Sequence, residues 1–458
     1  MGKLHFATAL LPEGWRDDVL VTVADGQIAA VKAGVKADGA DGGAGVIRFS
    51  GAALPGLPNL HSHSFQRGMA GLAERRGDAP DSFWTWREVM YRFLDRLTPD
   101  AIEAIAAFAF AEMLEAGFTA VGEFHYLHHA PDGRPYGNLA ETAERIAAAA
   151  QETGIGLTLL PVYYAQGNFG GAPPVPGQRR FLNGRDRFER LVEESARAVA
   201  GVPDVALGVA PHSLRAVTLD DLAWLAERWP EGPVHIHVSE QVKEVEDALA
   251  AHGRRPIELL YDTVPVDGRW CLIHATHAEP REIDCIASSG AVAGLCPVTE
   301  ANLGDGVFDT TRFLDAGGRF GVGSDSLIRV SAADELRSLE YAQRLRHRSR
   351  NALGQEGRST GRRLHDAASA GGAQALGRAL GAIAPGLRAD IVVLDRDHPS
   401  LAAAHGDLIL DGWIFSADNA AIVDVICGGA HVVSGGRHRA RDRLLSRYRD
   451  AVRRLEAI

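Results

Sequence analysis

Eight short apolar segments recur through the middle of the chain, and residues that favour a helix follow each of them. In order, the apolar segments are GLPNLHSH, TAVGEFHY, GLTLLPVYY, ALGVAPHS, VHIHVSE, WCLIHATH, AVAGLCP and RFGVGSDS. The intervening segments include PDAIEAIAAFAFAEMLEAG, DRFERLVEESARAVAG and TLDDLAWLAERWP, and the last two show N-terminal acidic residues and helical periodicity. Apolar strands that alternate with helices are typical of a buried parallel sheet. The pattern predicts an α/β protein with a TIM-like (β/α)8 barrel, and an open doubly wound sheet is the alternative.

The two ends of the chain have a different pattern from the middle. Residues 3–55 alternate short β-rich pieces with glycine turns, and ADG between two of these pieces predicts a hairpin. The same pattern returns in ADIVVLD and IVDVICGGAHVVSGG near the C terminus. We therefore predict a small β-sandwich domain built from residues 1–55 and 384–437. The barrel would then span 56–383, and a C-terminal helix over 438–458 would pack on the outside.

One connection stands out by its length and composition. The segment at 165–186 reads AQGNFGGAPPVPGQRRFLNGRD, which is rich in glycine and proline. It is too long for a simple connection between a strand and a helix. We expect a surface loop here, and we consider it a candidate active-site lid.

Composition and charge narrow the choice of partners. The 458 residues carry a formal net charge of -11, which disfavours nucleic acid and anionic membranes as partners. No apolar run approaches the length of a membrane span, and the apolar stretch at the N terminus is too short for a signal peptide core. The four cysteines form no C-x-x-C pair. We therefore expect a cytoplasmic protein that binds neither nucleic acid nor membrane.

Residues that bind metals or transfer protons follow four of the predicted strands. They are His61, His63, His237, Glu240, His274 and Asp325. The carboxyl ends of the strands in such a barrel meet at one face, so these side chains should converge. Positions i and i+2 of a strand point the same way, which lets His61 and His63 both face the interior. Each residue alone has an ordinary structural explanation, but their equivalent positions in a repeating architecture favour a site.

The residue types in this group suit a catalytic metal. Three imidazoles and one carboxylate fit a divalent borderline ion such as Zn²⁺, with a further position left for water. A catalytic zinc brings the pKa of bound water towards neutrality. A carboxylate at the metal can then accept the proton of that water, and a second carboxylate, Glu240, can carry a proton to the substrate. The pattern predicts one divalent metal ion and a hydrolytic reaction.

The whole chain resembles the amidohydrolase superfamily, and closely its mononuclear deaminase branch. The resemblance implies that Glu240, in HVSEQ, is the proton shuttle and that Asp325 takes the proton of the attacking water. It also implies that His274 contacts this water or the tetrahedral intermediate. The implied metal ligands are His61, His63, His237 and Asp325.

The lysines of the chain support the mononuclear assignment. Binuclear relatives commonly bridge their two metals with a carbamylated lysine on the fourth strand. No lysine lies between Lys36 and Lys243, so this bridge cannot form. The resemblance further implies a homodimer.

Four stretches are similar to those deaminases of this branch that hydrolyse N-formimidoyl-L-glutamate to N-formyl-L-glutamate and ammonia in histidine degradation. The stretches are HSHSFQRGMAG, WTWRE, GEFHY and PHSLRA. This substrate has two carboxylates, and arginine forks bind carboxylates well, so we expect Arg87 and Arg215 to bind them. The resemblance adds Tyr126 as a hydroxyl donor and Gln66 as a contact of the formimidoyl group. His212, at the end of the fourth strand, is a candidate lining residue.

Two alternatives remain open from the sequence. Other mononuclear deaminases and hydrolases act on guanine, cytosine, adenosine-like or chlorotriazine rings and share the same metal and proton-transfer positions. A flat ring would not need a pair of arginines, so these residues separate the two cases. The other alternative is a non-catalytic relative that serves as an assembly scaffold. Such proteins usually lose metal ligands, and this chain keeps them all.

Overall fold

The structure is a computed structural model that describes residues 2–36, 45–76 and 82–456. Its strands are β1 (Gly2–Leu11), β2 (Gly14–Ala24), β3 (Gln27–Lys32), β4 (Val46–Pro55), β5 (Leu57–Ser62), β6 (Phe118–His125), β7 (Gly156–Tyr163), β8 (Val205–Leu207), β9 (Ala210–Pro211), β10 (Val234–Val238), β11 (Trp270–His274), β12 (Val292–Leu295), β13 (Arg319–Val322), β14 (Ile391–Leu394), β15 (Ile422–Cys427), β16 (Ala430–Ser434) and β17 (Arg437–His438).

The α-helices of the described residues fill the connections between strands and extend to the C terminus. They are α1 (Phe83–Leu94), α2 (Pro99–Glu115), α3 (Glu141–Thr153), α4 (Arg185–Val199), α5 (Leu219–Arg228), α6 (Val242–His252), α7 (Pro256–Thr263), α8 (Pro280–Ser289), α9 (Pro297–Leu303), α10 (Thr310–Asp315), α11 (Ala332–His347), α12 (Thr360–Ala375), α13 (Leu408–Phe415) and α14 (Arg441–Glu456). Across the described ranges, no helix combines the length and apolarity that a bilayer span requires.

The strands from β5 to β13 form a closed parallel barrel. Their order is β10-β11-β12-β13-β5-β6-β7-β8, and β9 also pairs in parallel with β7. β8 and β9 are two pieces of one barrel position, and a parallel bridge between Val209 and Val234 closes the ring. Each apolar segment of the sequence thus contributes one barrel position, the fourth in two pieces. The predicted (β/α)8 barrel is confirmed, and the open sheet is excluded.

The end of β5 lies between an apolar cluster and the histidines. Leu60 belongs to a buried cluster with Ala375 and Leu376, at the end of α12, and with Cys296. The next residue, His61, lies 3.1 Å from the ring of His237, atom Nε2 to atom Nε2. The pairing of β5 with β6 shifts register between Asn59 and Ser62, so the strand departs from strict alternation where the histidines begin.

The two ends of the chain join in a second sheet, as predicted. Its order is β17-β16-β15-β14-β4-β1-β2-β3, with β1 and β4 parallel and the other neighbours antiparallel. The sheet has its own buried cluster, which includes Phe6, Val21 and Ile391. The predicted hairpin at ADG joins β2 to β3. Its turn residues Asp25 and Gly26 both have positive φ, 50° and 78°, as a tight two-residue hairpin turn requires.

The loop at 165–186 is exposed over most of 170–176, as predicted, but it also enters the interior, which the sequence did not predict. Gln178, Arg180 and Phe181 are almost completely buried. The Arg180 guanidinium donates to the main-chain oxygens of His129, at 2.7 Å, and of Leu94. These carbonyl oxygens satisfy the buried guanidinium donors, and the hydrogen bonds anchor the loop against the barrel.

The C-terminal helix packs on the outside of the barrel, as predicted. α14 lies along α2, where the Tyr448 ring stacks on Phe108 with 4.4 Å between ring centroids. The Arg441 guanidinium also lies over the Phe108 ring, at 4.5 Å from its centroid. A surface helix of this kind shields an aromatic residue of α2 from water.

Two buried histidines outside the site should make the fold sensitive to acid. His125 Nε2 lies 3.0 Å from the Thr142 hydroxyl, and His128 Nε2 lies 2.9 Å from the Val162 carbonyl oxygen. Burial, and to a smaller extent the nearby His63, lowers the pKa of His125 to about 3. Burial also lowers the pKa of His128 well below its ordinary value. Below pH 6.5 the unfolded chain therefore binds protons that the folded chain does not.

The stabilisation from a neutral His125 is complete above its unfolded pKa and is lost as the pH falls towards 3. We expect the free energy of unfolding of metal-free protein to drop by about 3 kcal/mol from this residue between pH 7 and pH 4. Urea unfolding at several pH values measures the slope. The slope should be smaller in His125→Gln and unchanged in His405→Gln, an exposed histidine; equal slopes in both variants would contradict the assignment.

Candidate active site

The carboxyl ends of the barrel strands bring together all six residues that the sequence singled out there: His61, His63, His237, Glu240, His274 and Asp325. The His61 Nε2 atom lies 3.1 Å from His237 Nε2 and 3.6 Å from Asp325 Oδ1. The His63 Nε2 atom lies 3.3 Å from the same carboxylate oxygen. The three imidazoles have ligand atoms within 4.8 Å of one another and are buried. The convergence expected from the strand ends is therefore present.

Main-chain oxygens fix the orientation of two of these rings. His63 Nδ1 lies 3.0 Å from the carbonyl oxygen of Phe124, and His237 Nδ1 lies 3.0 Å from that of His212. A carbonyl oxygen can only accept, so Nδ1 carries the proton in both rings. The Nε2 lone pairs are then directed at the centre of the group, which is how proteins orient histidine ligands of a metal.

The protonation states also suit a cation. Burial lowers the pKa of His61 to about 3 and lowers the pKa values of His63 and His237 as well, so the imidazoles are neutral at pH 7. Burial alone would raise the pKa of Asp325, but its contact with His61 and the neighbouring histidines lower it below its usual range. Neutral imidazoles and an ionised carboxylate are the forms that bind metals. The donor set therefore fits one divalent ion of the zinc type.

Two further groups that can move protons lie beside this cluster. Glu240 is buried, which raises its pKa, and its Oε1 lies 3.9 Å from His274 Nε2. His274 Nε2 is 3.7 Å from Asp325 Oδ2, and its Nδ1 is 3.2 Å from Glu300 Oε1. Burial opposes a charge on His274, but Glu240, the Glu300 hydrogen bond and Asp325 together raise its pKa to about 10. A raised carboxyl pKa and a charged imidazole are suited to general acid and base chemistry.

The backbone is strained where these residues leave their strands. Ser239, His274 and Asp325 all have positive φ, at 52°, 69° and 42°. A non-glycine residue in this region costs about 1–3 kcal/mol, and such residues cluster at functional sites. Gly323 has a different role, because a Cβ atom there would lie 2.8 Å from the backbone and Cβ of His61. The close approach of β13 to β5 thus requires glycine two residues before Asp325.

A cavity of about 600 Å³ opens above the cluster. All five residues predicted to bind substrate line it: Gln66, Arg87, Tyr126, His212 and Arg215. Gln66 Nε2 donates to the Tyr126 hydroxyl oxygen at 3.0 Å, and Gln66 Oε1 has no hydrogen-bond partner among the described residues. An acceptor atom aimed into the cavity is therefore available to a ligand.

The two arginines lie at one end of this cavity. Arg87 lies on α1, a helix inside the first βα connection, and Arg215 follows β9 and is buried. Both guanidinium groups lie over the Trp84 ring, at 4.5 Å and 5.7 Å from its centroid. In the part of the chain that the structure describes, neither Nε atom has a hydrogen-bond partner. Two cations with unused donors are arranged to bind anionic groups of a ligand.

Sequence reasoning missed several residues of the site. The aromatic walls of the cavity come from Phe83, Trp86, Tyr91, Tyr164 and Phe181. Cys296 and Glu300, after β12, were also missed. The Cys296 sulfur lies within 4.8 Å of ligand atoms of His274 and Asp325. The segment GLCPVTE carried the only signal for these two residues, because it continues the seventh apolar segment past the strand end.

Comparison with known proteins gives the class first. The model of the amidohydrolase family matches residues 52–432. The chain belongs to the amidohydrolase family, whose members bind a metal ion. A second model, described as the N-terminal domain of formimidoylglutamate deiminase HutF, matches residues 1–43.

Individual relatives narrow the class. Formimidoylglutamate deiminase of Pseudomonas aeruginosa is 52% identical over 97% of both chains. This similarity places the chain with the formimidoylglutamate deiminases. An amidohydrolase structure from Brucella melitensis is 52% identical, with a TM-score of 0.94 over 100% of both chains. A zinc-bound adenosine deaminase from Xanthomonas campestris shares the fold, with 22% identity and a TM-score of 0.83 over 100% of this chain and 98% of that one.

Proposed function

We propose that this protein is a zinc-dependent hydrolase that converts N-formimidoyl-L-glutamate to N-formyl-L-glutamate and ammonia in histidine degradation. One observation carries the proposal beyond the amidohydrolase class: the guanidinium groups of Arg87 and Arg215 share a cavity with the metal-ligand cluster and have unused donors. This arrangement matches a substrate with two carboxylates and one hydrolysable amidine carbon. The identity to the deiminase of Pseudomonas aeruginosa supports the same substrate.

We assign the metal ligands to His61, His63, His237 and Asp325, on the distances and ring orientations given above. When bound in such a site, zinc lowers the pKa of a water ligand towards neutrality, so that hydroxide is available at pH 7. The protein's part is to hold the ligands in the deprotonated form and to exclude bulk water from the cluster, which is almost completely buried.

The proton transfers are assigned to three side chains. Asp325 accepts the proton of the attacking water, and His274 donates a hydrogen bond to that water's oxygen. As the oxygen bonds to the formimidoyl carbon, Glu240 delivers a proton to the terminal nitrogen, which becomes an amino group. Glu240 then takes the proton of the new hydroxyl group and passes it to the same nitrogen. The carbon–nitrogen bond breaks, ammonia leaves, the carbon keeps the oxygen as a formyl group, and the proton held by Asp325 restores Glu240 for the next cycle. The raised pKa of Glu240 and its buried position beside His274 suit a group that must carry these protons.

The remaining residues of the cavity bind and orient the substrate. Arg87 and Arg215 bind the carboxylates, while the free Oε1 of Gln66 accepts a hydrogen bond from the formimidoyl group. The Tyr126 hydroxyl supports Gln66, and His212 forms part of the wall. Holding the amidine carbon at the metal side of the cavity supplies the orientation that a bimolecular reaction in water lacks.

Several predictions from the sequence are carried forward as proposals. The domain boundaries stay at 1–55 with 384–437, 56–383 and 438–458. The protein is proposed to work in the cytoplasm, as a homodimer and without nucleic-acid or membrane partners. Its partner in the reaction is a small dicarboxylate.

Ammonia release by zinc-loaded protein tests the proposal against the ring deaminases. We expect rapid release from N-formimidoyl-L-glutamate and none from guanine or cytosine. Activity confined to a ring would retain the metal site but would remove the arginines as substrate ligands. If the protein binds no zinc and turns over none of the three compounds, the result would favour a non-catalytic relative that serves as an assembly scaffold.

Removing either arginine from the cavity should weaken substrate binding. Arg87→Met and Arg215→Met are each expected to raise KM and to lower kcat/KM by about 100-fold or more, because a charge-assisted contact to a carboxylate is lost. Steady-state kinetics with N-formimidoyl-L-glutamate measures the effect. Arg92→Met, on the exposed side of the same helix, is the matched control and should have wild-type kinetics. Wild-type KM in both cavity variants would contradict the carboxylate assignment.

A further inference from the structure

Glu244 is a buried carboxylate that neither the metal site nor the proposed proton transfers use. It lies in the first turn of α6 and is completely buried. Its Oε1 accepts a hydrogen bond from the main-chain N–H of Ser239, and its Oε2 accepts one from that of Glu240, each at 3.1 Å. The side chain therefore holds the turn that connects β10 to α6. That turn carries Glu240, and it contains the strained residue Ser239.

The same carboxylate also faces the substrate-binding arginine. Glu244 Oε2 lies 3.9 Å from Arg215 Nε, and Glu240 Oε2 lies 3.7 Å from Arg215 Nη2. The guanidinium thus lies between two buried carboxylates, only one of which is placed to reach the reacting atoms. An arginine buried to this degree needs a nearby negative charge to remain in place, and Glu244 supplies one that is not needed for proton transfer.

We propose that Glu244 is a positioning residue that sets the place of Arg215 and the main chain of Glu240 through a single carboxylate. The inference rests on the proposed function, in which Arg215 binds a substrate carboxylate and Glu240 delivers a proton. The distance between these two groups must match the distance between the carboxylate and the amidine nitrogen of the substrate. Glu244 fixes that distance because it contacts both groups at once.

If Glu244 had a purely structural role, its loss would lower stability without changing the kinetics of the folded enzyme. The chain contains a matched control for that case, a second buried carboxylate outside the active site. Glu340, on α11, is also completely buried. Its carboxylate accepts from the main-chain N–H groups of Ala352 and Leu353, at 2.8 Å and 2.9 Å, and pairs with Arg344 at 2.6 Å. Glu340 is absent from the lining of the active-site cavity. Its loss should cost stability without changing the kinetics of the remaining folded enzyme.

The test compares Glu244→Gln with Glu340→Gln in the zinc-loaded enzyme. Glutamine keeps the size of the side chain but removes the charge and one acceptor oxygen. We expect Glu244→Gln to raise KM and lower kcat, so that kcat/KM falls by about 100-fold, the loss that follows when a site is misplaced by roughly an ångström. Glu340→Gln should keep both constants. Unchanged constants in folded Glu244→Gln, or an equal loss in Glu340→Gln, would overturn the proposal.

A double-mutant cycle separates positioning of Arg215 from a general disturbance of the site. In an Arg215→Met background, the effect of Glu244→Gln on KM should disappear, while the effect on kcat through Glu240 should persist. Additive effects on KM would contradict the coupling to Arg215. If Glu244→Gln does not fold, Glu244→Asp keeps the charge but withdraws the carboxylate, and it should also lower kcat/KM; wild-type constants in that variant would overturn the proposal.

Measuring the binding of a dicarboxylate tests the role of Glu244 without depending on whether the proposed reaction occurs. If wild-type enzyme does not turn over N-formimidoyl-L-glutamate, the proposed function fails, but the effect of Glu244 on Arg215 can still be measured. Glutarate, a simple dicarboxylate, serves as the probe in titration calorimetry. Weaker glutarate binding to Glu244→Gln than to wild type and Glu340→Gln would support the positioning role, and equal binding by all three would overturn it.

Discussion

Replacing Glu240 with glutamine should lower kcat by about 10²–10⁴-fold, the contribution typical of a positioned proton-transfer group. Glutamine has the same shape but cannot carry the proton from the attacking water to the departing nitrogen. Glu240 is not one of the assigned metal ligands, and its main-chain N–H is held by Glu244 in the variant as well. Metal content and folding should therefore remain as in the wild type.

Steady-state kinetics and metal analysis of the same preparation measure this effect. Glu246→Gln, an exposed change on α6, the helix that follows Glu240, should have wild-type kcat and serves as the control. The Glu240→Gln variant should bind substrate nearly as well as the wild type, since Arg87 and Arg215 are retained. Wild-type turnover by Glu240→Gln with its metal bound would remove Glu240 from the mechanism.

Removal of the metal should abolish turnover. Without the ion, the reaction would depend on water with a pKa of about 15.7 instead of one near 7, a loss that Asp325 and His274 alone cannot replace. The fold should also lose stability, by about 3–4 kcal/mol when the metal had been present at 100 to 1,000 times its dissociation constant. The barrel should stay folded, because its strands are held by their own hydrogen bonds and by a large apolar core.

Dialysis against a chelator, followed by activity, circular dichroism and thermal unfolding, tests this prediction. Added zinc should restore both activity and melting temperature. Parallel additions of cobalt and manganese rank the ions that the three histidines and the carboxylate accept. Full activity at a metal-to-protein ratio near zero would contradict the metal assignment.

The barrel could be predicted because its pattern is repeated and local. Each apolar segment is followed by helix-forming residues, which favours a parallel sheet covered on both faces. The metal-binding and proton-transfer residues that recur at the strand ends favour a barrel over an open sheet. The sequence did not show that the fourth position consists of two short strands, since ALGVAPHS is apolar throughout. Nor did it show that part of 165–186 is buried. Proline and glycine favour a surface loop, but Arg180 is anchored by carbonyl groups that are distant in sequence.

The ligand cluster could be predicted because strand ends are marked in the sequence. His61, His237 and Asp325 all follow apolar runs, and the barrel converts that shared position into proximity. Supporting residues carry no such mark. Glu244 and Glu300 lie near the starts of α6 and α9, where acidic residues commonly serve only to stabilise a helix N terminus, and their partners become apparent only in the folded chain.

The products of the reaction test the central claim most directly. A tetrahedral intermediate on the formimidoyl carbon holds two nitrogens, and the position of Glu240 decides which of them is protonated and leaves. Zinc-loaded enzyme should convert N-formimidoyl-L-glutamate into equal amounts of ammonia and N-formyl-L-glutamate, as followed by proton NMR. Formation of glutamate and formamide, or no reaction at all, would contradict the account.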